Sequence, residues 1–412
     1  MIMEDIMKYY FVYGLLLISY FLACLLRGAS GVILPEVAEY IPMSPSIIGV
    51  ISGMFFYGYT IAQPYCGELC DRKSPLLTVS FGLIILGLGL IIFAIANTTF
   101  LLAVARFLIG LGSGPTFCAL LAYQANAFHP KIFARLMGLT IMFGHFGGVI
   151  GITPIGSLMD IFGYQRIHFF LAFIAIFTAI LLVLMMKSYK KNKSCVEEKK
   201  STFQGFKIIY RSKRLSSLLL VWSMGLILQL TLIGLWGVTW LTETHINISV
   251  SYARICMTAG GIGVLIGAFI TGMIGNKLIL ISQIMQRLCF LLILFLFLLI
   301  ISISNSFVWQ FIFLMSLLLG FILGAINVIS NIFLYMIVGP DLIGTVTGAN
   351  NVFLFLSVLL SQWFSGMFIE YYQRFPLFDN ITSYTAFFLV IIIIGVSITI
   401  YLGKINFIED RT

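Results

Sequence analysis

The sequence predicts an all-α membrane protein, with twelve transmembrane helices in two six-helix halves. Three observations carry that prediction. Of 412 residues, 60% are hydrophobic and 9% charged, and mean hydropathy is +1.08, whereas a soluble domain carries about 25% charged residues. Apolar runs of roughly 20 residues, each long enough to cross a bilayer core, recur along the chain. Finally, positions on the two sides of a central basic stretch repeat.

The expected spans are 10–35, 46–67, 76–96, 100–124, 134–158, 167–186, 217–241, 253–274, 279–302, 307–335, 346–369 and 384–403. The first run is too long for a cleaved signal peptide and lacks a small-residue cleavage site, so it is expected to stay as a span. Even-numbered junctions carry the bases: Arg72 and Lys73, Lys131 and Arg135, then Lys277. Ten of the 24 basic residues fall in 187–214. By the positive-inside rule these junctions and both termini are cytoplasmic, which predicts a multi-pass protein of the cell (inner or plasma) membrane. The net charge of +9 is thereby explained without nucleic acid. The organisation expected is an N-terminal bundle over 1–186, a basic cytoplasmic linker loop over 187–215 and a C-terminal bundle over 216–412.

The halves repeat at a gap-free shift of 210 residues. It superposes Gly110 on Gly320, Gly114 on Gly324, Pro130 on Pro340, Gly138 on Gly348, Gly156 on Gly366 and Asp160 on Glu370. Parallel six-helix repeats about a central loop are a transporter architecture, with the solute site near the midplane.

Arg27 is the most informative single residue, a permanent charge eight residues before Pro35, or about 12 Å along a helix. A charge at membrane depth costs at least ~2.5–3.5 kcal/mol, so it reads as a functional group facing a protein or water-filled interior. Snorkelling to the headgroups is the bland alternative, and the depth is awkward for it. Polar residues at helical spacing mark other inner faces. In the tenth span these are Asn327, Asn331 and Tyr335, and in the seventh Gln229, Trp236 and Trp240. Interhelical hydrogen bonding is the bland reading of each. His145 lies mid-span in the fifth and could titrate near neutral pH, although a structural histidine is the plainer reading.

No ATP-binding Gly-x-x-x-x-Gly-Lys-Ser/Thr motif occurs, so transport would be secondary or facilitated. Cys66 and Cys70 have no second pair to complete a metal site. No serine–histidine–acid set stands out among four scattered histidines. No catalytic residue, metal or cofactor is expected, and an enzyme is disfavoured.

The junction Gly67-Glu68-Leu69-Cys70-Asp71-Arg72-Lys73, its degenerate copy Gly272-Met273-Ile274-Gly275-Asn276-Lys277, and Arg106-x-x-x-Gly110-x-Gly112-x-Gly114 carry a family resemblance. Together, in a twelve-span chain, they resemble the signatures of the major facilitator superfamily over nearly the whole length. Ser74 stands where the usual second glycine would be. The resemblance implies that Gly67, Asp71 and Arg72 form a conformational latch, and it links the Arg106 position to proton coupling. It also implies that helices 5 and 8 pack across the halves, where Gly144, Gly147, Gly148 and Gly151 and Gly260, Gly261, Gly263 and Gly267 would give smooth faces.

Arg27-x-x-x-Gly31-Val32-Ile33-x-Pro35, with Phe55-Phe56-Tyr57 and Gln63-Pro64, is similar to the organic-anion and organophosphate branches, in which a helix-1 arginine binds an anionic group. The seventh span offers Gln229 and no second base, which disfavours a phosphate dianion and matches one guanidinium to one carboxylate. The expectation is a monomeric transporter of a small carboxylate-bearing solute (an organic acid, amino acid or short peptide), working by alternating access in the lipid bilayer, with proton coupling through Arg106 or His145. The solute would be held by Arg27, Tyr57, Gln229, Trp236, Asn327, Asn331 and Tyr335. The alternatives are metabolite or drug efflux and a transporter-like solute sensor. Against efflux, 151–156 departs from the Gly-Pro-x-x-Gly-Gly ending common in drug exporters.

Overall fold

A chain this apolar must satisfy its backbone donors and acceptors internally, because lipid offers no partner, and helices do this within each segment. The computed structural model describes residues 2–72, 74–186, 202–245, 248–274, 281–338, 343–377 and 381–403. Among them the regular elements are helical: α1 Ile2–Gly28, α2 Ser30–Ala38, α3 Pro45–Arg72, α4 Pro75–Ile95, α5 Thr99–Ser113, α6 Pro115–Ala127, α7 Pro130–Ile150, α8 Thr153–Phe162 and α9 Tyr164–Met185. There follow α10 Thr202–Arg211, α11 Lys213–Ile227, a π-helical segment Leu228–Trp236, α12 Gly237–Thr244, α13 Val250–Ile274, α14 Ile281–Ser304, α15 Trp309–Val338, α16 Ile343–Arg374 and α17 Ser383–Gly403.

Among the described residues, eleven spans are long and apolar enough to cross a membrane, and the pair Leu136–Ile150 and Thr153–Phe162, bent by 44°, gives the twelfth when counted as one. The bend follows from Pro154 at the start of α8, since proline lacks an N–H and clashes with the preceding turn. Thr98 and Ser212 cap α5 and α11, their hydroxyls accepting the backbone N–H of Leu101 and Leu215, both at 3.3 Å. Gly163, at φ 79°, makes the left-handed turn from α8 into α9 that a side chain would disfavour.

Two expectations need correction. The first span does not run unbroken to Pro35. It breaks at Ala29, and Pro35 lies inside the restarted helix α2. Nor is 187–215 wholly a loop. Its described part contains α10, which packs on α16 and α11 with Ile209 buried, while Lys207, Tyr210 and Arg211 are exposed. The remainder of that stretch lies outside the described residues.

The helices form two compact units, Met1–Met43 with Val50–Glu198 and Ser44–Gly49 with Lys199–Thr412. In the first, α1 packs on α7 and α6, and α4 on α9 and α5. In the second, α13 packs on α15, and α14 on α15 and α17. Repeated glycines seat equivalent contacts in the two units, α5 on α3 and α15 on α13. A Cβ at Gly110 would lie 1.9 Å from the Phe55 carbonyl oxygen, and one at its repeat partner Gly320 would lie 1.9 Å from that of Gly260. Backbone therefore touches backbone at both equivalent points. Glycines of the fifth and eighth spans also seat contacts inside each unit. Gly144, Gly147 and Gly151 face α1, whereas Gly263 and Gly267 face α15.

Candidate functional site

Arg27 sits in the last turn of α1, one residue before the helix ends. Its Nη2 donates to the Cys24 Sγ, 3.4 Å away and one turn earlier. Tyr20, a further turn back, shares that face of α1, and Tyr59 approaches from α3, both close enough to feel the guanidinium charge. His145 of α7 lies in the same field. The glycine face of α7 explains its approach: a Cβ at Gly147 would lie 2.5 Å from the Phe21 carbonyl oxygen, and one at Gly151 2.7 Å from that of Leu25. Small residues at i, i+4 thus bring His145 alongside Arg27.

Phe117 of α6 adds an aromatic wall, its ring 5.1 Å from that of Tyr20. Tyr59 is buried and stacks on Phe55 at 6.1 Å. Arg27, two phenols, a thiol and an imidazole therefore converge from α1, α3 and α7. Phenol and imidazole N–H groups can donate, so the surroundings suit an acceptor-rich anion.

Arg106, on α5, is 2% exposed. Its Nη1 donates to the Leu26 carbonyl oxygen at 3.2 Å, its Nη2 donates to the Ser30 Oγ, and its guanidinium lies 5.4 Å from the centroid of the Phe55 ring. The last carbonyls of a helix lack intrahelical partners, and a cation there is stabilising. Arg106 thereby ties the end of α1 to the start of α2, directly beside Arg27 in the chain.

The other expected solute contacts are placed differently. Tyr57 is 50% exposed and its ring neighbours Phe107, 6.2 Å away. Two residues turn a helix by about 200°, so Tyr57 and Tyr59 face opposite ways; the phenol near Arg27 is Tyr59, which sequence reasoning missed. Tyr20 was missed as well, although its spacing of seven from Arg27 placed both on one face.

In the second unit, Trp236 is 1% exposed and donates its Nε1–H to the Ser365 Oγ at 2.8 Å, so it is a core residue and not a cavity wall. Trp240 is likewise buried, donating to the Thr385 Oγ1 at 3.0 Å. Gln229 is half-buried in the π segment. That segment is braced by α16, where Gln362 Nε2 donates to the Leu230 carbonyl oxygen at 3.1 Å. Asn327, Asn331 and Tyr335 do share a face of α15, with Asn331 and Tyr335 exposed. Asn331 Nδ2 donates to the Asn327 carbonyl oxygen at 2.9 Å. Gly67, Asp71 and Arg72 fall in α3, but their side chains lie outside the described residues. Among the described residues no three His, Cys, Asp or Glu side chains gather as a metal-holding group.

Solved structures similar to this fold include membrane transporters. A bacterial homologue of the human lysosomal transporter Spinster, inward-facing and unoccupied, shares 15% identity over 96% of this chain and 97% of its own, with a TM-score of 0.75. Its occupied form gives 0.76 at the same identity and coverage. A mutant of the nucleoside transporter NupG shares 16% identity over 95% of this chain and 99% of its own, with a TM-score of 0.70. No curated protein matches significantly. At such identities the likeness shows the fold alone. The sequence itself matches the family model described as Major Facilitator Superfamily over residues 16–362. With the repeated helical halves and membrane spans already described, that match means that this multi-pass membrane protein belongs to the major facilitator superfamily of transporters.

Proposed function

We propose that the chain is a secondary transporter that moves a small monoanionic, carboxylate-bearing solute by alternating access, and that Arg27 is its anchor. The observation that carries this reading is the convergence of Tyr20, Cys24, Tyr59 and His145 on the Arg27 charge. A guanidinium grips a carboxylate through two parallel hydrogen bonds, and Tyr59 and His145 offer further donors to the same oxygens. The helix-1 arginine also supports the resemblance to the organic-anion branch. Organic acids, amino acids and short peptides all fit one such anchor.

Part of the proposal is that a carboxylate on Arg27 would offset the charge that opposes a proton on His145, so that the two binding events would be coupled reciprocally. Symport with protons follows as part of the proposal. Arg106 enters it as the residue that holds the α1 break, because an arginine does not release its proton. Asn327, Asn331 and Tyr335, on the exposed face of α15, are proposed to contact the uncharged part of the solute. Gln229 is proposed as a further contact, from its half-buried place in the π segment. The latch of Gly67, Asp71 and Arg72 remains part of the proposal, as do a monomeric state, cytoplasmic termini and the cell membrane.

The test is uptake into proteoliposomes of labelled carboxylates, amino acids and peptides, with and without an imposed pH gradient. The expected result is saturable uptake of a monocarboxylate, stimulated by the gradient and lost in a folded Arg27→Gln variant. Uptake of neutral solutes alone would refute the reading.

A further inference from the structure

Away from Arg27 and Arg106, another arginine lies within an apolar span. Arg287 is the seventh residue of α14, about 9 Å along the helix from Ile281, inside the span Ile284–Ser304. It is exposed, and among the described residues no acid pairs with it. Together with Gln286, Phe290 and Leu291 of α14 and Thr399 of α17, it lines a groove of about 680 Å³. The two helices pack together. One turn deeper than Thr399, Gly395 makes room for Met224 of α11 and Ile293 of α14, since a Cβ there would lie 2.3 Å from the Met224 Cε and 3.2 Å from the Ile293 Cγ1.

The lining changes character with depth. Arg287 and Leu291 are four residues apart, as are Gln286 and Phe290, so each polar side chain stands one turn above an apolar one. Phe290 is 60% exposed. The α17 side contributes Thr399, four residues from the end of its helix, and the Thr399 Oγ1 already donates its proton to the Gly395 carbonyl oxygen at 2.9 Å. That hydroxyl oxygen can therefore only accept. A guanidinium and an amide stand at the rim, with an acceptor opposite them and an aromatic and an aliphatic side chain beneath.

We propose that this groove binds an anionic phospholipid whose headgroup carries a hydroxyl. Arg287 grips the phosphodiester as a fork, with Gln286 donating beside it. The headgroup hydroxyl donates to Thr399, and an acyl chain lies along Phe290 and Leu291. A water-soluble anion would have no use for the apolar lower half, which commits the site to lipid. Juxtamembrane bases draw anionic headgroups in general. A converging acceptor on a second helix and an acyl rail below it make this place a built site.

The test uses the purified full chain in detergent, titrated with phosphatidylglycerol, phosphatidic acid or phosphatidylcholine of identical acyl chains, with bound lipids counted by native mass spectrometry. Wild type is expected to bind one phosphatidylglycerol saturably, about tenfold more tightly than phosphatidylcholine, whose choline cation is repelled by Arg287 and whose headgroup has no hydroxyl for Thr399. Arg287→Gln should erase that preference and Arg287→Lys should keep part of it, while Arg374→Gln, on exposed α16, should change nothing. Thr399→Val, which leaves the cation in place, should erase the preference for phosphatidylglycerol over phosphatidic acid. Equal binding of phosphatidylglycerol and phosphatidylcholine by wild type would overturn the proposal. So would a folded Arg287→Gln that keeps the preference. Should that variant fail to fold, an unaltered headgroup preference in Thr399→Val overturns it instead.

Discussion

The surroundings of Arg27 in the first unit and of Trp236 in the second are built on opposite plans. Around Arg27 a fixed charge is set among phenol, thiol and imidazole groups from three helices, near a helix end that a second arginine ties down. Around Trp236 the polar groups form a neutral chain: the indole donates to Ser365, Ser365 donates to the Gln362 carbonyl oxygen, and the Gln362 amide donates to the Leu230 carbonyl oxygen. The first arrangement gathers a fixed charge and titratable groups from three helices. The second uses side-chain polarity to brace a π segment, a geometry that loosens the normal helical ladder. Polarity inside a membrane helix is therefore not one signal; what matters is whether it gathers around a charge or braces a backbone.

That contrast can be broken by substitution. The largest effect on stability is expected for Trp236→Ala, about 3–5 kcal/mol from lost packing plus an unpaired Ser365, read by thermal unfolding in detergent. Solute affinity of the folded fraction should be unchanged, and a large affinity loss at unaltered stability would place Trp236 in the site after all. Arg106→Met should cost about 1–3 kcal/mol, because the Leu26 carbonyl oxygen and Ser30 lose a buried donor. It should also raise KM through Arg27, which borders the loosened break. An unchanged KM would confine Arg106 to stability.

Tyr59→Phe should weaken solute binding roughly fivefold, the worth of about one hydrogen bond, at nearly constant stability. Tyr57→Phe should do nothing measurable to either, since that hydroxyl faces away from Arg27. Equal effects of the two in a calorimetric titration would contradict the assignment of faces on α3.

Much of the fold was legible in the sequence. Apolar run length marked the spans, and the 210-residue shift paired Gly110 with Gly320, which make equivalent close approaches. The helix breaks were only partly legible. Pro154 marks the bend before α8, yet nothing local marks Ala29, where the partner that ties the break is Arg106, some 80 residues away in the chain. The π segment was illegible for the same reason, since its brace is Gln362 on α16. In the candidate site, Arg27 and His145 stood out as polar residues in apolar runs. Tyr57 entered with the Phe55-Phe56-Tyr57 resemblance, and aromatics at 55, 56, 57 and 59 surround α3 and hide its rotational phase. For Trp236, bulk and spacing alone do not say whether the indole N–H is already satisfied, as it is by Ser365.

The most direct test of the central claim is binding of a labelled monocarboxylate to purified Arg27→Gln and Arg27→Lys, each shown to be folded by its unfolding temperature. The account predicts that Gln abolishes binding and that Lys keeps a small part of it, because the charge survives without the fork. Carboxylate affinity equal to wild type in folded Arg27→Gln would contradict it.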